Sequence, residues 1–178
     1  MVEAGHMDYS AHDNDAVTTF EEVNHLSDSV AKALEFYNNH PDETLIIVTA
    51  DHETGGMSLG WDHYEIRMNR LMAQKASAIE VTNIFQKMRA EGKRDWADYK
   101  KLLSDEFGLW SLVPVTKEEE QLLKHDFYDI FLKYGPMVDG LYNKNEFVVY
   151  HALEILNRHA SLEWTSLYHT GMYTPLFV

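Results

Sequence analysis

The sequence predicts an α/β fold: part of a parallel sheet interrupted by a mostly helical insertion. Three observations lead there. Leu45-Ile46-Ile47-Val48 is an unbroken apolar run, the pattern of a strand buried on both faces. It ends in the polar cluster Thr49-Ala50-Asp51-His52-Glu53-Thr54-Gly55-Gly56, and open α/β sheets place ligands at the carboxyl ends of their strands. Residues 63 to about 134 then carry helical patterns with few strand signals, before turn residues and a short apolar end return. The expected division is 1–62 as an α/β segment, 63–144 as a helical insertion and 145–178 as the return to the α/β core.

The elements follow in order. Residues 1–15 are polar, rich in His and Asp, and show no helical period. Asp13, Asn14 and Asp15 are candidate caps for the next helix. Phe20, Val23, Leu26, Val30 and Leu34 recur at three- and four-residue spacing, predicting an amphipathic helix from Val17 to about Asn39, stopped by Pro41. In the middle segment, Ser77 with Glu80 and Thr116 with Glu119 have capping-box spacing. Gly92, Gly108 and Gly135-Pro136 punctuate the helices. A last helix is expected around Asn145 to His159, with Phe147, Ala152, Ile155 and Leu156 on its apolar face.

Composition narrows the function. With 178 residues, 45% hydrophobic and 25% charged, the chain can bury a real core. A net charge of −14 argues against nucleic acid as a partner. The acidic excess has two readings: a solvated surface, or carboxylates that hold divalent cations. No run of about 18 apolar residues suggests a membrane span, and no leader pattern is visible at the start. Without cysteine, any metal rests on His, Asp and Glu.

Three clusters carry candidate chemistry. Glu3, Asp8 and His12 form an E-x4-D-x3-H stretch, which suits zinc or magnesium but also describes a solvated polar loop. Asp51-His52 follows the apolar run directly, at a sheet edge; Thr54, Gly55 and Gly56 allow a tight turn there. A simple exposed turn would also accommodate the pair. His169 lies in Tyr168-His169-Thr170-Gly171, where a structural or exposed histidine is the plain alternative.

Together these stretches resemble the alkaline phosphatase family. Residues 1–12 look like its VEGG-x-I-D-x-x-x-H stretch, and Thr49 to Gly56 matches TADHETGG almost letter for letter. Trp164-Thr165-Ser166, His169-Thr170-Gly171 and Pro175-Leu176-Phe177 are similar to the pattern near the family's end. Related phosphomutases share an Asp-His after a strand, but not the following Glu-Thr-Gly-Gly. The likeness covers roughly 1 to 60 and 145 to 178. It implies an alkaline-phosphatase-like sheet and a phosphomonoester hydrolase working through a phosphoserine, with two zinc ions and one magnesium. By resemblance, Asp8, His12 and His169 are ligands of the first zinc, Asp51 and His52 of the second, and Glu3 of the magnesium. Two divalent cations suit this chemistry because a phosphate dianion repels anionic nucleophiles.

The departures from the pattern matter as much. In the family the serine nucleophile, the bridging aspartate and the phosphate-binding arginine lie upstream of the glutamate matched by Glu3, and no serine here sits in the nucleophile motif. The chain therefore resembles a fragment lacking the nucleophile-bearing amino-terminal part, and negligible activity is expected of it alone. Ala4 stands where a glycine is usual, and Tyr9 offers a phenol near the implied magnesium and phosphate. Missing central strands would expose the Leu45–Val48 edge, so self-association is expected. The family's usual export implies a periplasmic or extracellular parent. Two other readings stay open: a non-catalytic metal-binding or interaction module, and a helical scaffold with an incidental Asp-His pair.

Overall fold

Asp15 organises the first half of the chain. Its carboxylate caps a long helix by accepting from Thr18 N at 3.1 Å and Thr18 Oγ1 at 2.8 Å. The same carboxylate accepts from Gln74 Nε2 at 2.7 Å and Ala78 N at 2.8 Å, so it also holds the start of a second helix. Burial pushes its carboxyl up from the ordinary range, and these four hydrogen bonds pull the other way. The computed structural model describes residues 1–62, 64–133, 137–139, 141–142 and 144–178.

The capped helix is α2, Ala16–Asn39, close to the span expected. It is preceded by α1, Gly5–His12, where the sequence suggested only a loop. The period was absent because the buried residues of this short helix are the consecutive Ser10, Ala11 and His12, two of them polar: Ser10 hydrogen-bonds Thr19 of α2, and His12 faces the candidate site. Only the first turns of α2 reach the core, through Ala16, Val17 and Phe20. Further along, Val23, Leu34, Phe36 and Tyr37 are exposed.

The Leu45–Val48 run is not the buried parallel strand expected. The strand there is β1, Val48–Thr49, and it pairs antiparallel with β8, Leu176–Phe177. Leu45 is 71% exposed and Ile47 55%. An apolar run becomes a buried strand only when strands flank it and helices cover both faces. Among the described residues β8 alone pairs with it. Two further pairs continue the same direction: β2, Glu53–Thr54, with β7, His169–Thr170, and β3, Ser58–Leu59, with β6, Leu162–Glu163. Residues 48–59 thus run against 162–177 as one interrupted antiparallel ribbon, not a parallel sheet.

The core is helical. After the 3-10 helix Met68–Ala73 come α3, Ala78–Ala90, α4, Trp96–Phe107, and α5, Lys117–Lys133. The capping signals hold: Ser77 Oγ accepts from Glu80 N, while Thr116 and Glu119 cap each other through both backbone amides. Gly108 ends α4 in the left-handed region at φ 69°. A hairpin that the sequence did not suggest follows, β4 Met137–Asp139 with β5 Lys144–Glu146. The Gly135-Pro136 punctuation falls outside the described residues. Helix α6, Phe147–His159, buries Val148, Val149, Ala152, Leu153, Ile155 and Leu156 against Phe85, Tyr99, Leu103 and Phe127 of the middle helices. Ala16 and Leu162 belong to the same cluster, so the ribbon and α1–α2 stand on this helical base. Among the described residues no helix is long and apolar enough to cross a membrane.

Candidate metal centre

Helix α1 puts Asp8 and His12 one turn apart, so both side chains face the same direction. His12 Nε2 lies 3.5 Å from Asp8 Oδ1. The ribbon supplies the other side. β2 pairs with β7 so that Thr54 stands opposite His169, and His52 comes immediately before β2. The His52 and His169 rings stack at 3.5 Å between centroids, and the His12 ring is 5.0 Å from His169. Ligand atoms of Asp8, His52 and His169 all lie within 4.8 Å of one another, close enough to share one metal ion.

His12 is the most constrained of these groups. It is fully buried, and its Nδ1 lies 2.5 Å from the carbonyl oxygen of Leu167. A carbonyl only accepts, so Nδ1 carries the proton and Nε2 keeps a free lone pair. That Nε2 is buried and makes no hydrogen bond. A buried acceptor left alone costs about 1–3 kcal/mol, which a cation at this position would remove. Imidazole nitrogens beside a carboxylate, in a chain without cysteine, fit a borderline divalent cation such as zinc.

The turn after β2 explains the two glycines. Gly55 has φ 85°, and a Cβ there would lie 2.5 Å from Trp164 Cε3 and 2.9 Å from Ala11 O. Gly56 has φ 62°, and a Cβ would overlap Thr165 Oγ1. The backbone can therefore press against both α1 and the 164–166 segment. Gly55 O accepts from Thr165 N at 3.0 Å and Ser166 N at 3.1 Å. Glu53 locks the turn, accepting from Gly56 N at 2.9 Å and from Thr170 Oγ1. Glu53 is thus engaged in holding the ribbon.

The remaining expected residues lie around this group. Asp51 Oδ2 is 3.5 Å from His52 Nε2, with its side chain 89% exposed. Glu3 is exposed and outside the converged group, but it lines the same open cavity of about 930 Å³ as Asp8, Asp51 and His52. One wall of that cavity is apolar, formed by Leu26, Val30, Phe36, Leu45 and Ile47. Sequence reasoning missed two neighbours. Thr54 donates to Asp8 Oδ1 at 2.6 Å and lies 3.2 Å from His52 Nδ1. Its signal was the two-residue period of a strand, which turns His52 and Thr54 to one side. Tyr142 packs on Tyr9 at 4.6 Å and edge-on to His12 at 5.2 Å; nothing in the local pattern marks it.

Comparison with known proteins places the fold and the family. The structure resembles the crystal structure of a cold-active alkaline phosphatase from the psychrophile Shewanella sp., with a TM-score of 0.69 at 22% identity, covering 99% of this chain and 38% of that one. That likeness establishes an alkaline-phosphatase-like fold. The sequence profile of alkaline phosphatase matches residues 1–175, and the chain belongs to the alkaline phosphatase family. It is 27% identical over 177 residues to alkaline phosphatase 4 of Bacillus subtilis and 28% over 178 residues to alkaline phosphatase 3 of the same organism. Each match takes in 99% of this chain but 33% and 34% of those relatives, so the chain spans about a third of their length. The repressible alkaline phosphatase of Saccharomyces cerevisiae matches over 57 residues at 39% identity, 32% of this chain and 10% of the yeast protein.

Proposed function

We propose that this chain is the metal-ligating part of a phosphomonoester hydrolase that works through a phosphoserine. Asp8, His12 and His169 are assigned to a first zinc, Asp51 and His52 to a second, and Glu3 to a magnesium. The observation that supports metal binding is the convergence of Asp8, His52 and His169 beside the orphaned Nε2 of His12, and the division of the ligands among three ions follows the family resemblance. Bound divalent ions would offset the charge of the phosphate dianion and lower the pKa of a coordinated oxygen. The chain's own residues bind and orient: Leu167 fixes the His12 ring, and the β2–β7 pairing sets His169 against His52. The serine nucleophile is assigned to none of these 178 residues.

The proposed division remains 1–62, 63–144 and 145–178, with the middle helices inserted between ligand-bearing ends. A periplasmic or extracellular location is proposed for the parent enzyme. Calorimetric titration with zinc tests the site: the wild-type chain should bind, and His12→Ala should weaken binding at least about tenfold. Hydrolysis of p-nitrophenyl phosphate by the pure chain should stay at background even with zinc and magnesium. Robust turnover would overturn the missing-nucleophile assignment, and zinc affinity unchanged by His12→Ala would overturn the ligand set. The second reading, a metal-binding module without catalysis, needs only the Asp8, His52 and His169 group and no nucleophile. It predicts zinc binding with no turnover even when the rest of a family enzyme is supplied.

A further inference from the structure

We infer that Thr54 is a positioning residue for the metal centre: one hydroxyl sets the tautomer of His52 and fixes the Asp8 carboxylate together. The inference rests on the metal-binding reading above. Thr54 Oγ1 lies 2.6 Å from Asp8 Oδ1 and 3.2 Å from His52 Nδ1. The hydroxyl has a single proton, and an ionised carboxylate can only accept, so that proton goes to Asp8. Nothing is then left to donate toward His52. The short approach to Nδ1 is favourable only if Nδ1 carries a proton and the Thr54 oxygen accepts it.

The relay therefore reads His52 Nδ1–H to Thr54 Oγ1, and Thr54 Oγ1–H to Asp8 Oδ1. Its consequence falls on the opposite ring nitrogen. With Nδ1 protonated, His52 Nε2 holds the lone pair that a metal requires. Without the relay the neutral ring would have a better choice. Asp51 Oδ2 lies 3.5 Å from Nε2, and this carboxylate would draw the proton to that nitrogen and block it as a ligand. Thr54 thus counteracts Asp51. It also joins α1 to the ribbon, since Asp8 belongs to α1 and Thr54 to β2. The arrangement parallels His12, whose tautomer is set by the Leu167 carbonyl, but here a side chain does the work and can be exchanged.

The test compares the full chain with Thr54→Ser, which keeps the hydroxyl, and Thr54→Val, which keeps the shape. Nitrogen-15 NMR of the histidine side chains in metal-free protein at pH 8 reads the tautomer directly. Wild type and Thr54→Ser should show His52 protonated at Nδ1, and Thr54→Val should shift it to Nε2. Zinc affinity, measured by competition with a chromophoric chelator, should fall about 10- to 100-fold in Thr54→Val and stay within about threefold in Thr54→Ser. A merely structural threonine would leave the tautomer unchanged. If Thr54→Val does not fold, Thr54→Ala replaces it with the same expectations. An Nε2-protonated His52 in the wild type would overturn the inference. So would a valine variant that keeps both tautomer and affinity. Failure of the wild-type chain to bind zinc would sink the metal-centre reading, while the tautomer measurement would still decide the role of Thr54.

Discussion

His12 and Leu167 lie 155 residues apart in the chain and 2.5 Å apart in space, imidazole Nδ1 against backbone carbonyl. This bond fastens α1 to the segment leading into β7, so the first and last parts of the sequence share one site. A metal held by Asp8, His12 and His169 would reinforce the same closure, and zinc should therefore stabilise the fold. At about 100 times its dissociation constant it should add about 2.7 kcal/mol to the unfolding free energy. Thermal melts with zinc and with excess chelator measure the difference. His12→Ala, with binding weakened at least about tenfold, should remove about half of the zinc-dependent shift or more.

The Gly55 turn should be intolerant of any side chain. At Gly55→Ala a methyl group would meet the Trp164 ring and the Ala11 carbonyl, at a φ that disfavours L-residues. Backbone strain and overpacking together should cost about 2–4 kcal/mol. The damage should reach the site, because the β2–β7 register that stacks His169 on His52 runs through this turn. Urea unfolding gives the stability change, and zinc affinity should fall in step. Gly92→Ala serves as the control: a Cβ there meets nothing within 4 Å, so only the φ of 80° is penalised.

Most of the helical part was legible because helices announce themselves locally. The spacing of Phe20, Val23, Leu26, Val30 and Leu34 gave α2, although its outer half stays exposed. Ser77–Glu80 and Thr116–Glu119 marked real helix starts. Helix α1 was hidden because its buried residues, Ser10, Ala11 and His12, are consecutive and small or polar, so no apolar period appears. The strand at 45–48 was over-read for the opposite reason: a run of apolar residues records what a segment would bury, not whether neighbours exist to bury it. The candidate ligands were legible through resemblance, whereas the contacts of Thr54 and Tyr142 depend on pairing between distant segments.

Arg89 and Glu146 form a second exchangeable pair, away from the ligands. Glu146 is fully buried, and Arg89 Nη2 meets its Oε1 at 2.5 Å. Burial pushes the Glu146 carboxyl up, and the Arg89 guanidinium opposes that shift. A carboxyl raised in the folded state contributes stability below its unfolded pKa and loses it as pH rises through the folded one. Arg89→Ala removes the opposing charge, so the folded pKa should climb further. The variant should lose about 3–5 kcal/mol at neutral pH and distinctly less near pH 4, where Glu146 can take a proton. Denaturant midpoints at the two pH values decide this. An equal loss at both would mean that the pair contributes through packing alone.

The exposed apolar surface makes a prediction about assembly. Leu45 and Ile47 just ahead of β1 and Leu176 and Phe177 of β8 are exposed, as are Val23, Leu34 and Phe36 on α2. A short strand edge beside apolar side chains invites pairing with another chain, and here no charged residue of the β1–β8 pair opposes it. We therefore expect the chain to self-associate in dilute solution, with sedimentation velocity showing a concentration-dependent increase in size. Leu176→Glu with Phe177→Glu should return it to a monomer, since two carboxylates on that edge would have to be desolvated for the contact to form. Leu176 and Phe177 are both exposed and lie outside the cavity that Asp8 and His52 line, so the double variant should keep its zinc affinity and its melting behaviour. A wild-type chain that stays monomeric across the concentration range would show that the surface is tolerated exposed.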